Sequence, residues 1–286
     1  MFNIESRGEP NHMTLYMIAI AFSAGIISAM VGAFQECMLA GLVMVAMTAF
    51  PQYSFLGDTV SYGLFPYIAF TGGVVATAYA SKVRKHDLGG AAILTSLTKF
   101  QDISVLLVAA AVSILSMITA WLINKTGWVI DAGSVSVIFY SCLTRKFLGD
   151  GKFLNRSMKA IPRYSGNKKE WIYWAFLGLA VGFMAGGIVM KSGNPWLPFF
   201  LSLASLVFWF IDPNFPPTHH ITCTAGYAML ATGSLAWAAV WGMIASIVST
   251  IIGDAINTDA STHIDPPATS IGVLSILIYL IYYIIL

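Results

Sequence analysis

The sequence predicts an all-α, polytopic membrane protein with about nine transmembrane segments, arranged as an inverted repeat with broken or re-entrant helices. Hydrophobic residues make up 57% of the 286 residues and charged residues only 10%, with a mean hydropathy of +0.76. A soluble domain carries about 25% charged residues, so this chain has too few charges to cover a soluble surface. Several apolar runs also approach the length of about 20 residues that crosses a bilayer as a helix.

Nine apolar runs are candidate membrane segments. They cover residues 13–33, 36–50, 62–81, 103–124, 129–147, 171–190, 195–211, 221–250 and 268–286. The polar N-terminal tail, residues 1–12, lacks the basic and small-residue features of a cleaved signal peptide. The run 36–50 is short. Gln35-Glu36 before it either forms the tight turn of a hairpin, which we favour, or places Glu36 inside the membrane.

Two regions depart from simple membrane spans. Residues 89–101 are too short and polar to cross, so we expect them to dip into the protein and return to the same side. The run 221–250 is long and has Gly233 near its middle, which predicts a broken or strongly tilted helix. Such breaks are tolerated at membrane depth only where the freed backbone groups face protein or a wet cavity.

The distribution of Lys and Arg predicts the orientation in the membrane. Eight of the fifteen lie in the stretch 145–169, and three more are Lys82, Arg84 and Lys85. Short loops rich in these residues stay in the cytoplasm, so both stretches are predicted to be cytoplasmic parts of a multi-pass protein of the plasma (cell inner) membrane. Counting spans from there places the N-terminus outside, the C-terminus inside and residues 253–267 outside.

The chain also resembles itself at a nearly constant offset. The matched positions are Gly90 to Asp102 with Gly253 to Asp265 at an offset of 163, and Thr71-Gly72 with Thr232-Gly233 at 161. In this frame Asp58 lies opposite His219. The alternative is that helices rich in small residues resemble one another by composition alone, because such residues line helix contacts in any membrane bundle.

These matches predict the division of the chain. We expect a first membrane repeat at residues 13–124 and a second at 170–286. Between them, residues 125–169 would form a linker span followed by the basic cytoplasmic loop, and this single extra span would invert the second repeat. Many secondary transporters are built in this way, with their substrate bound where the two repeats meet.

The last third of the chain has acidic residues and histidines without a basic partner. The 95 residues after Lys191 contain no Lys or Arg. They do contain Asp212, His219, His220, Asp254, Asp259, His263 and Asp265. An unpaired buried charge costs several kcal/mol, so each carboxylate must be solvated, protonated or paired. Ionisable residues within a membrane domain are candidates for a functional site.

One cluster of these residues is the stretch GDAINTDASTHIDPP, residues 253–267. Asp259 and His263 are four residues apart, so on a helix they would share a face. Asp265 precedes Pro266-Pro267, which predicts an extended residue followed by the start of a helix. The stretch predicts either a transport or metal site or a wet extracellular loop.

A second cluster is IDPNFPPTHHITCTAGYA, residues 211–228, in which Pro216-Pro217 and Thr218 predict another helix start. Its histidines predict a transition-metal site, a proton relay or a pair of interfacial side chains. The predicted metal ligands are His219, His220, Asp259, His263 and Asp265. The predicted substrate or ion site contains these five residues together with Asp58, Asp102, Thr222 and Asp254.

The functional prediction is a transporter, permease or channel for a small solute or ion, with a central Asp/His ion-binding site between the repeats and cation or proton coupling. The alternatives are an intramembrane metal-dependent enzyme and a non-transporting structural membrane subunit. A divalent metal ion or a coupling proton is the candidate cofactor. The expected partners are the lipid bilayer and the solute, not nucleic acid, and a homo-oligomer is left open. The sequence contains no Walker A, GxSxG or HExxH motif, so ATP-driven transport and the familiar hydrolases have no support.

Overall fold

The computed structural model of the protein describes residues 12–154 and 168–285, and every regular element in these ranges is a helix. The α-helices are α1 (Leu15–Val31), α2 (Ala33–Ala49), α3 (Gly57–Leu64), α4 (Ala69–Lys82), α5 (Ile103–Lys125), α6 (Ala132–Phe147), α7 (Lys168–Ser192), α8 (Trp196–Ser205), α9 (His219–Thr232), α10 (Leu235–Asn257) and α11 (Pro266–Tyr279). Short 3₁₀ segments lie at Pro51–Leu56, Leu97–Phe100 and Leu206–Phe210, and Leu280–Ile285 is π-helical. Nearly all of the predicted N-terminal tail and most of the basic loop 145–169 lie outside the described residues.

Five helices in the described part of the chain are long and apolar enough to cross a membrane. Four of them are Ile103–Lys125, Lys168–Ser192, Leu235–Asn257 and Pro266–Tyr283. The fifth is the stretch Pro51–Lys82, which joins the 3₁₀ segment Pro51–Leu56 to α3 and α4. The helices α1 and α2 reach this length only together, and the chain bends by 117° between them, so the count is at most six. This is fewer than the nine or so segments that the sequence predicts, because α6, α8 and α9 are shorter than a full span.

The long apolar run 221–250 forms two helices rather than one. The predicted break at Gly233 is confirmed: this glycine ends α9 in the left-handed conformation, with φ 63, which a residue without a Cβ adopts at little cost. The next helix begins two residues later, at Leu235. The chain therefore reverses direction once more than the sequence predicts.

This extra reversal changes the position of residues 253–267. Arg145, at the end of α6, donates hydrogen bonds to Thr262, and the Asp150 amide donates to Ser261. A Cβ on Gly90 would lie 2.4 Å from the Ser261 carbonyl oxygen. The loops after α4, α6 and α10 thus share one end of the bundle. The prediction that 253–267 lies on the side opposite the basic segments was wrong.

The helices form two groups with the same internal packing. In the first group α1, α4 and α5 contact one another, and in the second α7, α9 and α10 do so. α2 packs on α1 and α4 as α8 packs on α7 and α9, and α6 packs on α4 and α5 as α11 packs on α9 and α10. The two groups meet where α2 contacts α8 and where α6 contacts α11. By its packing α6 belongs to the first group.

This correspondence differs from the one in the sequence matches. Thr71 lies in the first turn of α4, whereas Thr232 is the last residue of α9. Asp102 caps α5, whereas Asp265 caps α11. By packing, α5 corresponds to α10, and α6 to α11. The sequence matches therefore pair positions that are not equivalent in the fold. Similar amino-acid composition explains these matches better than a repeat in that register.

Glycines bring the long helices of each group close together. A Cβ on Gly25 of α1 would lie 2.3 Å from the Ala109 carbonyl oxygen of α5. A Cβ on Gly178 of α7 would lie 2.6 Å from the Ser246 Cβ of α10. Small residues permit this approach of backbones in helix bundles of membrane proteins, so both contacts depend on the missing side chain.

We expect Gly178→Ala to lower the free energy of unfolding by about 1–3 kcal/mol, because the added methyl overpacks the contact between α7 and α10. Gly187→Ala is the matched control on the same helix, since among the described residues no neighbouring group lies within 4 Å of its added Cβ. This control should be neutral or gain up to about 1 kcal/mol from helix propensity. Thermal unfolding of the detergent-solubilised protein measures both, and equal melting temperatures would contradict the packing described.

The short helices α4 and α9 form the inside of the bundle. In α4, 11 of 14 residues are buried, and in α9, 9 of 14. In the long helix α7 only 5 of 25 are buried. Polar side chains on the two inner helices are therefore held inside the protein rather than on its outer surface.

Candidate functional site

Polar side chains from the start of α2, the start of α9 and the residues that lead into α11 surround one buried region of the bundle, in which Cys37, Cys223 and Ala268 belong to the same buried cluster. We call this set the central cluster; it consists of Glu36, Cys37, His219, His220, His263 and Asp265. Electrostatic interactions link Cys37 to Glu36 and to Asp265. Asp265 in turn interacts with His219, His220 and His263. The cluster brings together four residues of the predicted site and adds two that the prediction did not include.

Asp265 has two roles at the start of α11. One carboxylate oxygen accepts a hydrogen bond from the Ala268 amide at 2.7 Å, which caps the helix. The other oxygen lies 3.3 Å from His263 Nε2. The backbone of Asp265 is extended, with φ −73 and ψ 113, so the conformation predicted from Pro266-Pro267 is confirmed. Capping uses only one oxygen and leaves the other facing a histidine.

The two histidines of the cluster begin α9, as the sequence predicts. Their rings lie 5.9 Å apart, and the ring of Phe199 on α8 lies 6.1 Å from His219. In both histidines Nδ1 is buried and has no hydrogen-bond partner among the described residues. The Thr222 hydroxyl, also in the predicted site, donates to the His219 carbonyl oxygen at 3.1 Å.

Glu36 is fully buried, and neither oxygen of its carboxyl group has a hydrogen-bond partner within the described ranges. The favoured prediction of a hairpin turn at Gln35-Glu36 was wrong. The chain turns at Gly32, which has φ 100, and Glu36 lies in the first turn of α2. The sequence did contain a signal, because Glu36 is the only charged residue between Met13 and Gly57.

Three other predicted site residues lie outside the central cluster. Asp58 is exposed in the first turn of α3. Asp254 is partly buried near the end of α10. Asp259 is exposed in a turn with φ 52, so it does not share a helix face with His263 as predicted. The reason is that α10 ends at Asn257, before either residue.

Asp102 lies in an ion pair at the end of the bundle. Its carboxylate accepts a hydrogen bond from Arg84 Nε at 2.6 Å and lies 2.9 Å from His86 Nε2. It also caps α5 by accepting from the Ser104 amide at 3.0 Å. The hydrogen bonds from Ser104 and Arg84 hold the pKa of Asp102 well below its usual value. The charge of Asp102 is therefore balanced locally, in contacts that do not include Asp265.

The predicted metal site is not assembled. Within residues 12–154 and 168–285, no three His, Cys, Asp or Glu side chains are grouped so that they could hold a metal ion. One of the five predicted ligands, Asp259, is exposed on a turn.

A second polar group, partly buried and missed by the sequence analysis, lies at the start of α6. Asp131 caps this helix by accepting from the Ser134 amide at 2.6 Å, and its other oxygen accepts a hydrogen bond from the Tyr227 hydroxyl of α9. The Asp131 amide donates to the Ser275 hydroxyl of α11 at 3.1 Å. Asp131 thus caps α6 as Asp265 caps the corresponding helix α11.

Arg145 was predicted to belong to the basic loop, but it is only 2% exposed. Its guanidinium donates to Thr262 Oγ1 (3.0 Å) and O (2.5 Å), Lys152 O (3.0 Å), Ile256 O (3.0 Å) and Asn257 Oδ1 (3.2 Å). We call this set of contacts the Arg145 clamp. It fixes the loop that leads into Asp265. It has no sequence signal because four of its five acceptors lie 111 to 117 residues away along the chain.

Residues 149–286 match the model of a family of unknown function (DUF7973). This region contains α7 to α11, the second of the two groups of helices. Comparison with curated proteins and with solved structures gives no match. The match therefore relates the second group to a family without indicating an activity.

Proposed function

We propose that the protein is an integral membrane transporter that moves a small solute or ion through the centre of two inverted repeats, with proton or cation coupling. The observation that carries this proposal is the central cluster, above all the buried carboxyl group of Glu36. An isolated buried carboxylate costs several kcal/mol unless a proton or a ligand neutralises it. Such a group is retained in a membrane domain where it binds what is transported or what drives transport.

The two groups of helices support the inverted-repeat part of the proposal. Each group contains five corresponding helices, in the order α1, α2, α4, α5, α6 and α7 to α11. If each of these helices reverses the direction of the chain, the odd number makes the second group enter the membrane from the opposite side. Inverted repeats of this kind place the binding site at their interface and alternate its access by rocking.

The short inner helices support the position of the site. α9 begins at His219 inside the bundle, and the chain bends at Gly32 just before Glu36. Short or bent helices at depth are a feature of transporter binding sites, where their ends point at the solute. In this proposal Glu36 and Asp265 hold the cation or proton, and His219 and His220 share the charge.

Orientation follows from the shared end of the bundle. The stretches 82–85 and 145–169, which include or border the loops after α4 and α6, carry 11 of the 15 Lys and Arg of the chain, and this favours a cytoplasmic position in the plasma membrane. The loop 258–265 would then be cytoplasmic as well, and α11 would run from the cytoplasm towards the outside. Asp265 would be reached from the cytoplasmic side.

Electrical recording from reconstituted protein tests the proposal. Liposomes containing the protein are adsorbed on a solid-supported membrane and exposed to jumps in pH and in the concentrations of Na⁺, K⁺, Mg²⁺, phosphate, acetate and alanine. We expect a saturable, protein-dependent current for at least one of these jumps. Currents equal to those of protein-free liposomes throughout the panel would contradict transport and favour a structural subunit.

A further inference from the structure

A series of hydrogen bonds runs from the Arg145 clamp to Asp265 through two intervening side chains. Arg145 Nη2 donates to Asn257 Oδ1 at 3.2 Å. Asn257 Nδ2 and His263 Nδ1 are hydrogen-bonded at 3.4 Å, and His263 Nε2 and Asp265 Oδ1 at 3.3 Å. We call these four residues the Arg145–Asp265 network. It joins a buried cation at the end of α6 to a carboxyl group of the central cluster.

The partners of Asn257 determine which end of its amide group is the oxygen. Oδ1 accepts from the Arg145 guanidinium and, at 3.1 Å, from the Ile264 amide, and both of these groups can only donate. Nδ2 donates to the Ile264 carbonyl oxygen at 2.7 Å, which can only accept. The reverse orientation would set donor against donor and acceptor against acceptor at all three contacts, so the side chain has a single orientation.

This orientation determines where His263 carries its proton. The partner of His263 Nδ1 is the amide nitrogen of Asn257, which donates hydrogen bonds and does not accept them. Nδ1 is therefore the acceptor and has no proton. In a neutral imidazole the other nitrogen then holds the proton, so His263 Nε2 donates to Asp265 Oδ1. Asp265 Oδ2 accepts from the Ala268 amide, so both oxygens accept a hydrogen bond, as in a charged carboxylate.

All three bonds of the network donate in the same direction, from the cation towards the carboxylate. Hydrogen bonds in series polarise one another, and each is electrostatically stronger inside a protein than in water. The positive charge of Arg145 therefore strengthens the bond that His263 donates to Asp265, and it favours the charged form of Asp265 through the two side chains between them.

Packing holds the His263 ring in the position that these bonds need. The ring of Phe70 on α4 meets it edge to face, with the centroids 6.1 Å apart and an angle of 86° between the planes. The His263 side chain is only 14% exposed. Asn257 already closes the loop through its two bonds to Ile264, neither of which involves the ring. The bond from Asn257 to His263 thus acts on the imidazole itself.

We propose that Arg145 and Asn257 are positioning residues of the central cluster, which hold His263 in its neutral form with the proton on Nε2 and Asp265 in its charged form. This inference rests on the proposed transport function for its consequence. His263 has one ring proton and cannot give it to Asp265 without becoming an anion. The charge of Asp265 is therefore neutralised by the transported or coupling cation or proton, not by its neighbour.

Nitrogen NMR of the detergent-solubilised protein with ¹⁵N-labelled histidine tests the inference. The chain contains five histidines, and the signals of His263 are those that disappear in His263→Gln. At about pH 7.5, above the usual titration range of histidine, we expect the wild type to have a protonated Nε2 and an unprotonated Nδ1. In Asn257→Asp an oxygen replaces the donor, so Nδ1 should become protonated, alone or together with Nε2.

The same variant connects the network to transport. A proton on His263 Nδ1 either cancels the charge of Asp265 or removes the hydrogen bond to it. The largest current in the panel of pH, ion and solute jumps should therefore fall by about tenfold or more, the scale on which the loss of an orienting partner acts at ion sites. Asn194→Asp is the matched control, because its Oδ1 accepts from the Trp196 amide at 3.0 Å, outside the network. It should keep the wild-type current and leave the His263 signals unchanged.

Three results would overturn the inference: a wild type with the proton of His263 on Nδ1, a wild type with both nitrogens protonated, or an Asn257→Asp protein with the wild-type pattern. The first two need only the wild type, so they do not depend on the folding of a variant. Currents together with any of these patterns would leave transport standing without the positioning role. The expected pattern without currents above those of protein-free liposomes would keep the hydrogen-bond assignment and refute the proposed function.

Discussion

Replacing Arg145 with methionine is expected to lower the free energy of unfolding by about 3–5 kcal/mol. The substitution keeps a long apolar stem but removes every donor of the Arg145 clamp. Thr262 is fully buried, so its oxygens would be left without partners in a site that water does not reach. Unsatisfied buried acceptors of this kind account for most of such losses.

Chemical or thermal unfolding in detergent measures this effect, with Lys146→Met as the matched control. Lys146 is the next residue and is exposed, so its replacement removes the same charge without touching the clamp. Arg145→Lys should have a free energy of unfolding between those of Arg145→Met and the wild type, because an ammonium group cannot reproduce the fixed geometry of the guanidinium donors. Equal stability of Arg145→Met and Lys146→Met would show that the clamp does not hold the loop.

Replacing Glu36 with methionine is expected to have opposite effects on function and stability. Transport currents should fall to the level of protein-free liposomes, because the central cluster loses the carboxyl group that we propose as the ion-binding group. The free energy of unfolding should rise by about 1–3 kcal/mol, because a buried polar group without a partner is replaced by an apolar one. A gain in stability at the expense of activity is typical of functional sites.

The neighbouring residue provides a control of opposite sign. Gln35 Nε2 donates to the Leu94 carbonyl oxygen at 2.6 Å, so Gln35→Met should cost about 0.5–1.5 kcal/mol. Unfolding experiments on both variants and current recordings on Glu36→Met make the comparison. A Glu36→Met protein that is less stable than the wild type would mean that the carboxyl group is satisfied in the fold and has a structural role.

Local features of the fold could be predicted from the sequence. Low charge and long apolar runs predicted an all-helical chain, and Pro266-Pro267 predicted the extended conformation of Asp265. Gly233 predicted the end of a helix. Each of these depends on residues close together in the chain, where backbone sterics and capping decide the conformation.

Features that depend on distant residues could not be predicted. Arg145 looked like one of many loop cations until the loop after α10 enclosed it. Asp102 and Asp265 were matched by neighbouring small residues, but the packing of whole helices makes Asp131 the counterpart of Asp265. Glu36 was predicted to be a turn residue from its polarity alone. Its burial depends on contacts with distant parts of the chain, which the local sequence does not reveal.

The Arg145 clamp has a consequence for the synthesis of the chain. Its partner Ile256 lies 111 residues further along, so the end of α6 is completed only after α10 has been made. Domains made first generally fold first, yet here the first five corresponding helices are left with an arginine that lacks four of its five acceptors, all of them at residues 256–262. Nascent chains that end before residue 256 should therefore expose Arg145 to solvent or to chaperones, and this end of the first group should mature last.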